Sequence, residues 1–106
     1  MLPKAENYEL LIKRFQWNIP EHYNIGVDVC DKWAVTEPTR LALTYVNIDG
    51  SAKDYTFGDL MVLSNRLANL LHSINIRQGD RVSILLPQTP ETAYSHIAIH
   101  KLAAIS

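Results

Sequence analysis

A single cysteine, Cys30, stands in this chain, so no internal disulfide can staple it, and its cysteine usage is compatible with a reducing compartment. Glycine is nearly as scarce. The four residues Gly26, Gly50, Gly58 and Gly79 are isolated from one another, which leaves no glycine-rich loop to cradle a phosphate and no dinucleotide fingerprint. Charge of one sign is lacking too: ten Lys and Arg against eleven Asp and Glu give a formal net charge of -1, so composition offers no basic footprint for nucleic acid and no acidic tail. No apolar run approaches the ~18 residues that a membrane-spanning helix needs. Residues 1–7 have neither the charged start, the apolar centre nor the small-residue cleavage site of a secretory signal, and repeats and low-complexity tracts are missing. The expectation is a cytoplasmic chain with no nucleic-acid partner and no membrane span.

What is present is the composition of a globular domain, 106 residues of which 47% are hydrophobic and 20% charged, enough for one modest core. Tyr8, Leu11, Ile12 and Phe15 fall at helical spacing, which predicts a short amphipathic helix over residues 5–16 that breaks at Ile19-Pro20. Lys4, Lys13 and Arg14 make no strong polybasic face, so that stripe is expected to dock on protein rather than on a membrane surface. Asn24 is placed to cap a second helix in which Ile25, Val29 and Trp33 face one way, ending before Pro38. Leu41 to Val46, the turn Asn47-Ile48-Asp49-Gly50-Ser51 and residues 53–56 read as a hairpin whose second strand feeds the next helix.

The stretch from Tyr55 to Ile105 organises the rest. Thr56 followed three residues on by Asp59 has the form of a capping box, and Leu60, Leu63, Leu67, Leu70, Leu71 and Ile74 then recur on one helical stripe, with Asn65, Arg66, Asn69 and His72 off it. Gln78-Gly79-Asp80 breaks the pattern. Val82-Ser83-Ile84-Leu85-Leu86, short and almost wholly apolar, reads as a strand covered on both faces of a parallel sheet and ending at Pro87. Thr89, Pro90 and Glu91 supply a cap hydroxyl, a ring suited to the first helical position and a carboxylate at the positive helix end. The helix they start is predicted to run on through Leu102, Ala103, Ala104 and Ile105 without a glycine cap. A crossover helix exists to return the chain to a parallel strand, so the pattern reads as unfinished at Ser106.

Chemistry-bearing residues do not assemble into a catalytic centre. His96 and His100 stand four apart on one helix, but the helix offers neither an intervening Glu nor a third ligand, so the sequence assigns no metal site. His22 and His72 have no evident partners, and Ser64, Ser73, Ser83 and Ser95 lie in no nucleophile-elbow context. Asp28 and Asp31 read as a solvated helix face rather than a catalytic pair. Cys30 reads as a packed, inert thiol, because no local His or basic cluster lowers its pKa. Thr56, Asp59, Gly79, Asp80, Pro87 and Pro90 are structural punctuation.

Taken together and in order, Tyr55-Thr56-Phe57-Gly58-Asp59-Leu60, the helix of residues 64–71, Gly79-Asp80-Arg81-Val82 and Leu86-Pro87-Gln88-Thr89-Pro90-Glu91 resemble the opening of the large domain of the adenylate-forming (AMP-binding) enzymes. Upstream, Phe15-Gln16-Trp17-Asn18-Ile19-Pro20, Asn24 and Asp31-Lys32-Trp33-Ala34 resemble the lead-in of acetyl- and medium-chain-type acyl-CoA synthetases. The resemblance implies an α/β fold, with residues 1–106 forming a single partial domain at the N-terminal end of the large AMP-binding domain. It implies a parent ligase that joins a carboxylic acid to ATP as an acyl-adenylate and passes the acyl group to coenzyme A, with ATP, Mg2+ and CoA as the parent's cofactors. The family's phosphate loop, ribose-binding acid, hinge and C-terminal Lys have no counterpart here, so no catalytic, cofactor-binding or metal residue carries over, and the segment alone is expected to be inactive. Its partner would be the remainder of the parent chain. Two alternatives stay open: a stand-alone α/β module that docks on a protein through its last helix, and an adenylation domain that loads a carrier protein.

Overall fold

The computed structural model describes residues 4–106; the part of the signal-sequence reading that rests on residues 1–3 lies outside them. The first helix, α1, is Tyr8–Arg14, and Asn7 caps it by accepting from the Leu10 amide at 2.9 Å. It is shorter than the expected 5–16, because Phe15 already has extended backbone. Tyr8 and Ile12 are exposed while Leu11 and Phe15 are half-buried, so the stripe expected to dock is only partly covered.

The second helical stretch starts where predicted, with Asn24 Oδ1 accepting from the Val27 amide at 3.2 Å, but it changes pitch at once. Val27–Asp31 is a π-helical turn, and α2, Lys32–Thr36, follows it directly. The wider turn carries an extra residue, as π-bulges do, and it resets which side faces inward. Ile25 and Val29, expected on one face with Trp33, are 48% and 47% exposed, whereas Gly26, Cys30 and Ala34 are buried. Gly26 is required by close approach to the last helix: a Cβ there would stand 2.7 Å from Lys101 Cγ and 2.8 Å from the Ile97 carbonyl oxygen.

The hairpin forms as expected. Strand β1, Leu41–Val46, pairs antiparallel with β2, Ala52–Thr56, with an irregularity between Leu41 and Leu43. Its turn is closed by the Asn47 amide on the Ser51 carbonyl at 2.8 Å, with Gly50 at a φ of 81° that glycine alone adopts without strain. Thr56 ends β2 and caps α3, Phe57–Ser73. The capping box is complete: the Asp59 amide donates to Thr56 Oγ1 at 3.1 Å, and the Thr56 amide donates to Asp59 Oδ2 at 2.9 Å.

Of the leucine stripe only Leu60 is buried, and small side chains share the deepest positions with it and Ile99. On α3 the buried residues are Leu60, Ser64 and Ala68, while Leu63, Leu67 and Leu71 are half-buried and Leu70 and Ile74 are exposed. Ser64 satisfies its hydroxyl on the Met61 carbonyl at 3.1 Å. Helix α4, Pro90–Lys101, contributes Pro90, Ser95, Ala98 and Ile99. Residues of this size let α3, α4 and the π turn approach backbone to backbone, and the larger leucines then flank the contact rather than fill it.

Two helix ends explain what the sequence hid. At the end of α3, Asn75 takes a φ of 70°, its amide donates to the His72 carbonyl, and the Ile76 amide donates to the Leu71 carbonyl, a Schellman arrangement. The end of α4 repeats it with an alanine: Ala103 has a φ of 54°, its amide donates to His100, and the Ala104 amide donates to Ile99. The helix therefore stops at Lys101 and does not run to Ile105. Alanine carries no signal for a left-handed residue, which normally goes to glycine.

Past that cap the chain turns back onto the sheet direction. Ile105 pairs parallel with Arg81, the Ile105 amide donating to the Asp80 carbonyl and the Val82 amide to the Ile105 carbonyl, both at 2.8 Å. The onward strand expected of a crossover thus begins within these residues. The strand expected over residues 82–86 does not form a ladder: beyond the Arg81 bridge the segment has no partner among the described residues. Val82 and Ile84 are half-buried toward the helices, but Leu85 is 97% exposed, so one face is covered and not two.

Candidate functional site

Polar side chains gather in three places around the helical core. The most enclosed joins all three helical layers: Lys101, with its side chain 8% exposed, points Nζ at Asp31 Oδ1 and Asn65 Oδ1, each at 2.6 Å. Its hydrogen-bond direction goes to Asn65. The contact with buried Asp31 Oδ1 is ionic, since that oxygen receives no directed hydrogen bond. Asn24 Nδ2 closes the group by donating to the Lys101 carbonyl at 3.0 Å. Asp28 and Asp31 accordingly do not share a solvated face. The π turn sends Asp31 inward to Lys101, while Asp28 stays at the surface. The signal available in the sequence was a lysine set among Ile97, Ala98, Ile99 and Leu102.

The second place is an open polar hollow of about 590 Å3 bordered by Glu21, His22, Asn24 and Gln78. In it Asp28 accepts from Tyr23 Oη at 2.8 Å and pairs with Lys32. The Lys32 ammonium and then the Tyr23 hydroxyl hold the Asp28 carboxyl below its ordinary range, and the same bond to Asp28 raises the Tyr23 phenol. Both groups are at the surface, and the cluster shows no nucleophile.

Cys30, next to the buried ion pair, is fully buried, with its sulfur 4.0 Å from the Phe57 carbonyl oxygen. Burial pushes its thiol up, the opposite of what a nucleophilic cysteine needs. At the other end of α4, Pro90 begins the helix as expected, but the Thr89 hydroxyl accepts from no helix amide. The Thr89 hydroxyl instead lies near the Glu91 carboxylate and lowers its pKa. His96 and His100 form the third place, both rings meeting at Ser106. His22 borders the open hollow, and His72 is exposed on α3.

The residues present do not fit a nucleotide-phosphate or Mg2+ site. Among the described residues no group of three or more His, Cys, Asp or Glu side chains is placed to hold a metal ion, and the glycines that take positive φ, Gly50 and Gly79, sit in separate turns. No helix among those residues is long and apolar enough to cross a membrane.

A hairpin feeding a capped helix, followed by an extended segment, a crossover helix and the onset of a parallel strand, defines part of an α/β domain. Residues 30–106 match the family described as AMP-binding enzyme, and the chain belongs to that family. It is 34% identical over 98 residues to the mitochondrial acyl-coenzyme A synthetase ACSM3 of Homo sapiens, a match covering 87% of this chain and 17% of that one. Acetyl-coenzyme A synthetase 1 of Debaryomyces hansenii is 29% identical over 90 residues, covering 84% and 13%. Among solved structures, an acyl-CoA synthetase of Brucella canis superposes with a TM-score of 0.83 at 29% identity, over 95% of this chain and 20% of that one. The chain thus spans about a sixth of the length of the ACSM3 relative.

Proposed function

We propose that residues 1–106 are the N-terminal segment of the large domain of an acid-CoA ligase. The parent would activate a fatty or small organic carboxylic acid with ATP, release pyrophosphate to leave an acyl-adenylate, and transfer the acyl group to coenzyme A as a thioester. ATP, Mg2+ and CoA are the parent's cofactors in this reading, and the remainder of the parent chain is the segment's partner. The observation that supports it most is the superposition on an acyl-CoA synthetase over 95% of the chain at a TM-score of 0.83. In this reading its own residues act as scaffold: the capped α3, the buried Asp31–Lys101 pair and the parallel bridge at Ile105 hold the first crossover.

The test is acid-dependent exchange of pyrophosphate into ATP by the full-length protein across a panel of carboxylic acids, followed by thioester formation with free CoA or with a phosphopantetheine carrier protein. The reading expects exchange and a CoA thioester. A thioester formed only on the carrier protein would replace it with a carrier-loading adenylation domain, and absence of exchange with every acid would overturn it. A cytoplasmic site of action is part of the proposal, and the ACSM3 and ACSM4 relatives carry a mitochondrial designation. Subcellular fractionation of the tagged full-length protein decides between the two compartments.

A further inference from the structure

We propose that His96, His100 and Ser106 form an exchangeable binding site for a divalent transition-metal ion of the zinc, nickel or copper class. The helix supplies half of it. His96 and His100 lie one turn apart on α4, with ring centroids 6.2 Å apart. His96 Nδ1 and His100 Nε2 aim at one point, each 3.1 Å from the same Ser106 Oγ. The third group, which the helix lacks, arrives from another element. The left-handed Ala103 ends α4, and the Ile105 amide on the Asp80 carbonyl fixes the strand onset that carries Ser106 back over the helix.

The hydrogen bonding around that hydroxyl is suited to exchange for a metal. One hydroxyl has one proton, so it donates to one imidazole and accepts an N–H from the other. Moving that N–H to the far ring nitrogen leaves both lone pairs directed at the place the hydroxyl occupies, so an entering metal takes that place and the Ser106 hydroxyl shifts beside it as a ligand. Imidazole ligands select zinc, copper and nickel over magnesium or calcium, which take oxygen sets. Zinc–nitrogen distances are about 2.0–2.1 Å, so metal entry requires both rings to close in on the shared point from their present 3.1 Å. Among the described residues nothing covers His96 or Ser106, and His100 is half-buried. Among the described residues no carboxylate or thiol joins the pair, which makes the site an open one with exchangeable metal rather than a closed structural centre.

The test is titration of the full chain with Zn2+ alone, by calorimetry and by the imidazole proton resonances, on the natural sequence and on H96Q, H100Q and H72Q, with circular dichroism to verify that each variant is folded. The expected result is one Zn2+ per chain that shifts the His96 and His100 resonances, with affinity weaker by about tenfold or more in H96Q and in H100Q and unchanged in H72Q. Zinc binding no weaker in folded H96Q or H100Q, zinc shifts on His22 or His72 only, or no zinc binding by the natural sequence would each overturn the site.

Discussion

The Gly79 amide donates to the Ala103 carbonyl across 3.0 Å, and both residues hold positive φ, 85° and 54°. This single bond joins the turn before the extended segment to the turn after the crossover helix, next to the parallel bridge between Arg81 and Ile105. The two positions carry opposite expectations. A Cβ on Gly79 would meet nothing within 4 Å, so Gly79→Ala is resisted by backbone conformation alone and is expected to cost about 1 kcal/mol. Ala103→Gly relieves the same conformational cost and is expected to raise stability by up to about 1 kcal/mol, less what glycine adds to the entropy of the unfolded chain. Thermal unfolding of the two variants checks the pair; a destabilised Ala103→Gly would contradict the account of this cap.

Gly26 is constrained differently. Its φ is an ordinary -61°, but an added Cβ would stand under 3.0 Å from three atoms of the last helix, two of them backbone. Gly26→Ala is therefore expected to force the π turn and α4 apart at a cost of about 1–3 kcal/mol. Denaturant unfolding gives the number, and a neutral substitution would show that the two helices do not pack this closely.

Asp31 and Lys101 hold the π turn against the end of α4 from inside, with side chains 22% and 8% exposed. Removing one partner leaves a charge in a poorly hydrated place, so Lys101→Met or Asp31→Leu alone is expected to cost about 3 kcal/mol, and the double replacement clearly less than the sum. A double-mutant cycle by chemical unfolding measures the coupling. Additive single effects would show that the two charges do not interact.

The cap of α3 ties stability to pH. The Thr56 amide, and then its hydroxyl, bond the Asp59 carboxylate and lower its pKa in the folded chain. A depressed folded value means that the contribution is present above the unfolded pKa, near ~3.9, and is lost as pH falls through the lower folded value. Asp59→Asn is expected to flatten the acid limb of the stability profile, and Thr56→Ala to cost about 1 kcal/mol at neutral pH. Unfolding from neutral pH downward tests both; an acid limb unchanged in Asp59→Asn would contradict the assignment.

The legible parts of the chain were those whose residues have one structural meaning. Thr56 with Asp59 announced a cap, and Asn47 to Ser51 announced a turn, because each supplies its own hydrogen bonds within a few residues. The π turn was hidden because Val, Asp and Cys at Val27–Asp31 are weak helix formers that do not distinguish a π turn from an α-helix; tertiary contacts at Gly26 and Lys101 accompany it. Ala103 was hidden for a related reason, since its left-handed backbone is backed by a bond from Gly79, 24 positions earlier in the numbering, rather than by its own type. The leucine stripe located the inward face of α3 only roughly. Periodicity marks apolar residues, whereas the depth of Ser64 and Ala68 follows from how closely the helices approach. The convergence of His96 and His100 was half visible at spacing four, and Ser106 became its third member only once the strand onset was in place.

The proposed function has these residues scaffold the first crossover of an acid-CoA ligase whose chemistry is carried by other parts of the parent. Sequencing the reading frame past the codon for Ser106 tests it most directly. The account predicts that the frame continues through the strand begun at Ile105 and, within a further hundred or so residues on the usual scale of a domain, reaches a Gly/Ser/Thr-rich loop with a lysine. A stop codon directly after Ser106 would contradict it.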